Sequence, residues 1–140
     1  MTEKIKNKSV VYGWLMKADD DFSLAKNLFE ESEYYDHVCF LSQQAVEKYL
    51  KVLVIISKGK LKKEERTHNL IYLSQLGGLD FSAFESDLRK LSNAYVPARY
   101  PGDGYVKFNK EEAKECLRAA ERIIDFIKSE NNLAVYCEQF

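Results

Sequence analysis

The chain has 140 residues, enough for one domain with a sizeable core and too few for two typical ones. Apolar side chains make up 46% and charged ones 31%, a globular balance that excludes a disordered chain, and a net charge of −1 excludes a uniformly basic nucleic-acid binder. The charge is nonetheless uneven: Asp19 to His37 holds seven acids against Lys26, and Lys48 to Arg66 holds seven bases against Glu64 and Glu65. Such a dipolar molecule is suited to pairing with a copy of itself or to steering an anionic ligand to one end.

No apolar run reaches the ~20 residues that span a bilayer, and the lysine-rich start lacks the apolar stretch of a signal peptide. A soluble, cytoplasmic protein without membrane contact is expected. Cys39, Cys116 and Cys137 are odd in number and have no paired spacing, so they read as reduced, partly buried core residues.

Trp14, Ala18, Phe22, Ala25 and Phe29 recur at three or four residues and predict a first helix from about Val11 to Glu31. Tyr34, Tyr35 and Asp36 make the turn. A second helix follows from about His37 to Ser57, with apolar residues over about half its circumference. It is therefore the central helix. Its remaining arc carries Gln43, Gln44, Glu47, Lys48 and Lys51 and reads as an exposed, hydrogen-bonding face. Gly59 ends this helix, and the basic stretch to Arg66 reads as a connection. Thr67 is the expected N-cap of a short helix with Leu70, Leu73 and Leu76, stopped at Gly77-Gly78. Ser82 and Glu85 form a capping-box pattern before Phe84, Leu88, Leu91 and Tyr95, and Asn109 and Glu112 repeat it before Ala113, Leu117, Ala120, Ile124 and Ile127. Asn131-Asn132 ends the last helix. The apolar tail beyond it must pack on the bundle or on another copy.

No segment alternates with period two, so no sheet is expected. The fold class is all-α: an up-and-down bundle of four main helices plus a short extra one, in a single domain 1–140 with its core at about 11–129 and a tail at 130–140. Tyr95 to Gly104 holds the only prolines, Pro97 and Pro101, and reads as a shaped loop that sets Arg99 among Tyr95, Tyr100 and Tyr105.

Phosphate-loop, zinc-protease, C-x-x-C and nucleophile-elbow patterns are all missing. His37 and His68 each open a helix and read as polar, partly exposed residues. Asp19, Asp20 and Asp21 point about 100° apart on a helix and cannot converge on one metal ion. Asp21 alone lies beside the apolar stripe, where Lys48 or Arg99 is its expected partner. No metal, cofactor or catalytic residue is expected.

Four blocks occur in order: Trp14-Leu15-x-x-Ala18-x-x-Asp21, Cys39-Phe40-x-x-Gln43-Gln44-Ala45-Val46-Glu47-Lys48-Tyr49-Leu50-Lys51, Thr67-His68-Asn69-Leu70 and Ala98-Arg99-Tyr100-Pro101. Together they resemble the HEPN domain, the nucleotide-binding helical domain of prokaryotes and higher eukaryotes, from roughly Trp14 to Ile127. The resemblance implies a dimerising bundle, often encoded beside a nucleotidyltransferase in toxin and antitoxin pairs, with some members cleaving RNA. Nuclease members carry a histidine separated from the loop arginine by four to six residues, whereas no histidine follows His68 here. Tyrosine, with a reference pKa of about 10, is a poor base in its place. The expectation is thus a non-catalytic module that binds a nucleotide, RNA or a nucleotidyltransferase partner through Gln43, Gln44, Glu47, Lys48, Lys51, Arg99 and Tyr100, supported by Asp21 and Tyr105, and that forms a homodimer. The alternatives are a metal-independent endoribonuclease with an altered centre and a purely structural dimerisation domain.

Overall fold

The computed structural model describes residues 3–102 and 107–138, with side chains from Asn7 onward. Five helices follow one another: α1 (Glu3–Glu31), α2 (Tyr35–Lys58), the short α3 (Leu70–Ser74), α4 (Glu85–Arg99) and α5 (Lys110–Glu130). Single 3₁₀ turns lie at Lys63–Glu65, Ser82–Phe84 and Leu133–Tyr136, and the described residues contain no strand.

Side-chain pairs fix the helix directions. Asp21 meets Lys48 and Asp19 meets Tyr49, so α1 and α2 run antiparallel. Arg122 clasps Asp87 with two hydrogen bonds of 2.9 and 2.7 Å, and Lys90 meets Glu115, so α4 and α5 are antiparallel too. Cys39 meets Glu112 and Lys128 lies over Tyr49, which sets α5 parallel to α2. The four long helices therefore alternate up and down, with α3 inserted between α2 and α4.

Helix α2 touches all four other helices and carries half of its residues or more into the interior. Val38, Ala45, Val46, Leu50, Val52 and Leu53 pack against Val11, Leu15 and Ala18 of α1, Leu88 and Leu91 of α4, and Ile123, Ile124 and Ile127 of α5 in one apolar cluster. Tyr49 is buried among them and donates its hydroxyl proton to Asp19; burial first, and the carboxylate second, hold that phenol protonated well above its ordinary range. Cys39 and Cys116 are buried free thiols on facing helices and Cys137 is exposed.

The ends of the helices correct several sequence expectations. Helix α1 starts at Glu3, before Val11. Asn69, not Thr67, caps α3, accepting the Tyr72 amide at 3.0 Å, while Thr67 accepts the amide of Asn69 itself. Ser82 and Glu85 form no capping box: the Ser82 amide goes to Asp80, Ser82–Phe84 is a 3₁₀ turn, and Glu85 binds Arg89. Asn109 and Glu112 do form theirs, each side chain accepting the other's amide at 2.8 and 3.0 Å.

Pro97 lies inside α4, which continues to Arg99, and the Tyr100 amide still bonds the Val96 carbonyl at 2.9 Å. Proline this close to a helix end removes one hydrogen bond only, and the residue one turn back, Asn93, is exposed, so water can take the orphaned carbonyl. The shaped loop therefore begins at Tyr100. The described part of the tail packs on its own bundle through Leu133, which is buried, and Tyr136, against the core, while Val135 stays exposed.

Candidate functional site

The polar arc of α2 is not exposed, contrary to the reading from its periodicity. Gln43, Glu47 and Lys51 are 0%, 3% and 6% exposed, because His68, just before α3, lies over the first two and Trp14 of α1 lies against the third. Burying such groups is tolerable only when each finds a partner, and each does. The Glu47 carboxylate is the hub: Lys51 Nζ donates to Oε2 at 3.0 Å, while Oε1 takes His68 Nδ1 at 2.7 Å, Gln44 at 3.3 Å and Gln43 at 3.4 Å. Gln43 also donates to the His68 carbonyl at 3.2 Å and accepts from Gln44 at 2.7 Å. Lys48 extends the network outward, donating to Asp21 at 2.5 Å and reaching the Gln44 carbonyl oxygen at 3.5 Å.

This chain of contacts leads from α2 to the end of α4 through aromatic rings. His68 stacks on Tyr95 with ring centroids 4.9 Å apart, and Tyr95 in turn lies 5.7 Å from Phe40. The guanidinium of Arg99 donates to the Tyr95 hydroxyl at 3.2 Å and rests over the rings of Phe40, at 5.1 Å, and Tyr100, at 5.4 Å. The expected carboxylate partner of Arg99 is not found among the described residues. Asp21, its expected partner, is taken by Lys48, and the Glu47 carboxylate is engaged by Lys51 and His68.

The fold thus gathers Asp21, Gln43, Gln44, Glu47, Lys48 and Lys51 into one network and sets Arg99 and Tyr100 on an aromatic face at its edge. Tyr105 lies outside the described residues. The residue that sequence reasoning passed over is His68, whose side chain is 56% exposed although its Nδ1 is anchored. In the neutral imidazole, a proton on Nδ1 directed at the carboxylate leaves the Nε2 lone pair facing outward. Its only signal in the sequence was the block Thr67-His68-Asn69-Leu70. Phe40 stood in the block Cys39 to Lys51 and Tyr95 among the tyrosines around Arg99, but nothing in the sequence set either of them beside His68.

A buried, fully paired polar hub in an antiparallel helical bundle, bordered by an exposed arginine on aromatic rings, defines the class of protein, and comparison supplies the family. The model of the HEPN domain matches residues 11–131, so the chain belongs to the HEPN family. It is 27% identical over 128 residues to a Methanocaldococcus jannaschii protein named "Putative toxin MJ1304", covering 82% of this chain and 84% of that one. Among solved structures it resembles ST0689, described as an archaeal HEPN homologue, at 30% identity and a TM-score of 0.67, covering 86% of this chain and 96% of that one. It shares the fold of TT1696 from Thermus thermophilus at 24% identity and a TM-score of 0.72, covering 88% and 99% of the two chains.

Proposed function

We propose that this HEPN module binds the phosphate backbone of RNA or a nucleotide on the face formed by Arg99, Tyr100, Tyr95, Phe40 and His68. The observation that carries this reading is the state of Arg99: exposed, held on two rings, and hydrogen-bonded to a neutral phenol with no carboxylate partner among the described residues. A guanidinium so placed keeps most of its donor fork for a phosphate, while the neighbouring rings offer stacking surfaces for bases. Similarity to a protein named as a toxin supports a toxin-like role, and the pairing with a nucleotidyltransferase antitoxin is proposed from the family resemblance alone. A second copy of the chain is the other proposed partner, and the exposed Val96 is the apolar residue offered to it.

Fluorescence anisotropy with a short labelled RNA tests the binding. Affinity is expected to fall as salt rises, through counterion release, and Arg99→Ala should weaken binding about tenfold to a hundredfold, the value of a charged hydrogen bond of about 1.5–3 kcal/mol. Unchanged binding by Arg99→Ala would remove this face from consideration.

A metal-independent endoribonuclease is the second reading, and one contact favours it: the 2.7 Å approach of His68 Nδ1 to Glu47 orients an exposed imidazole beside the arginine face. On this reading His68, which shares Tyr95 with Arg99, would take the part of the histidine missing after Arg99. RNA incubated with EDTA is then cleaved, and His68→Ala lowers the cleavage rate far more than it weakens binding. Intact RNA at high enzyme concentration leaves the binding module alone.

A further inference from the structure

Away from the Arg99 face, a cavity of about 610 Å³ opens between α1, the end of α2 and the segment after it. Its apolar wall comes from Val10, Trp14, Ile55 and Leu61, and its cations are Lys51, Lys60 and Arg66. The two parts differ in how they are balanced. The Lys51 ammonium is buried, lies 5.5 Å from the centroid of the Trp14 ring and is neutralised by Glu47 at 3.0 Å. Lys60 and Arg66 are exposed, and neither side chain has an ion pair or hydrogen bond among the described residues. The neighbouring Glu65 does not answer them: it is held by the Lys62 amide at 2.8 Å and by Lys58 at 3.0 Å, which keep its carboxyl below the usual range.

The cavity therefore carries a surplus of two positive charges above an apolar floor. A single carboxylate would balance one of them, whereas a phosphate monoester bears about 1.5 to 2 negative charges near neutral pH and offers three acceptor oxygens. Inorganic phosphate would leave the Trp14 side unused. Small-molecule sites of this size typically combine an apolar wall with a few placed polar groups. We infer that this cavity binds a phosphate monoester carrying a flat ring, such as a mononucleotide, with the ring against Trp14 and Leu61 and the phosphate between Lys60 and Arg66. The site is separate from the Arg99 face and does not depend on it.

Equilibrium dialysis with adenosine monophosphate, inorganic phosphate and adenosine tests the inference, and the emission of Trp14, the only tryptophan, reports where the ligand sits. Adenosine monophosphate is expected to bind at least tenfold more tightly than either fragment and to change the Trp14 emission. The Lys60→Ala/Arg66→Ala double variant should lose tenfold or more, and Lys60→Glu should lose further, with helical circular dichroism unchanged because both side chains are on the surface. In Arg99→Ala the Trp14 response to adenosine monophosphate should keep its size and midpoint, since any binding at the Arg99 face lies away from that ring. Equal affinity for inorganic phosphate, an undiminished Trp14 response in the double variant, or loss of that response in Arg99→Ala would each overturn the assignment.

Discussion

Glu47→Ala should lower the stability of the bundle by about 3–5 kcal/mol, the cost of removing one partner from a buried ion pair. The side chains of Glu47 and Lys51 are only 4% and 7% exposed, so truncating the acid strands the Lys51 ammonium in the interior and also leaves Gln43 and Gln44 short of an acceptor. The expectation separates two ideas of what the network does. If its value lies in the pair itself, removing both charges should cost as much as removing one; if the cost is that of an unpaired charge, Glu47→Leu with Lys51→Met should restore most of the stability. Urea denaturation of the three proteins distinguishes them, and the second outcome is expected. A loss below about 1 kcal/mol for Glu47→Ala would mean that water reaches the hub freely, as at an exposed ion pair.

Gly77→Val should cost about 3 kcal/mol, the upper end of the overpacking range. A Cβ built on Gly77 would sit 2.6 Å from the Cβ of Leu53 and 3.4 Å from its carbonyl carbon, so the obstacle lies at the root of a buried side chain rather than at a movable tip. Gly78, its neighbour, serves a different need. Its φ is +86° with open space where a Cβ would stand, so Gly78→Ala should cost only the left-handed penalty of about 1–2 kcal/mol. The shift of the urea midpoint in the two variants checks the order. Equal costs would mean that the chain after α3 moves away from α2 without resistance.

The bundle was legible because apolar spacing reports directly which face of a helix is covered. Leu88, Leu91, Ala113, Ala120 and Ile124 all lie in the core where their periodicity set them, and the Asn109 and Glu112 cap formed because both of its bonds are local. The site was legible in its residue list but not in its arrangement. A helical projection gives the angular position of Gln43 or Glu47 and says nothing of what lies over it; the cover comes from residues more than twenty positions further on, around His68. His68 was passed over for the same reason, since its meaning depends on contacts with α2 and Tyr95. Pro97 misled in another way: the rule against proline concerns the hydrogen bond it deletes, and near an exposed helix end that loss is small.

The α1 and α2 pair, joined only by Ser32–Tyr34, has a consequence for how the chain reaches this structure. Closing so short a connection sacrifices little chain entropy, and the most extensive interface of the molecule forms between helices adjacent in sequence. Topologies dominated by such local contacts fold within microseconds to milliseconds. The largest of the long-range closures is α5 docking along α2, where Cys39 meets Glu112 across the bundle. Stopped-flow refolding slower than about a second would therefore locate the barrier in that final docking rather than in the hairpin that carries the Glu47 hub.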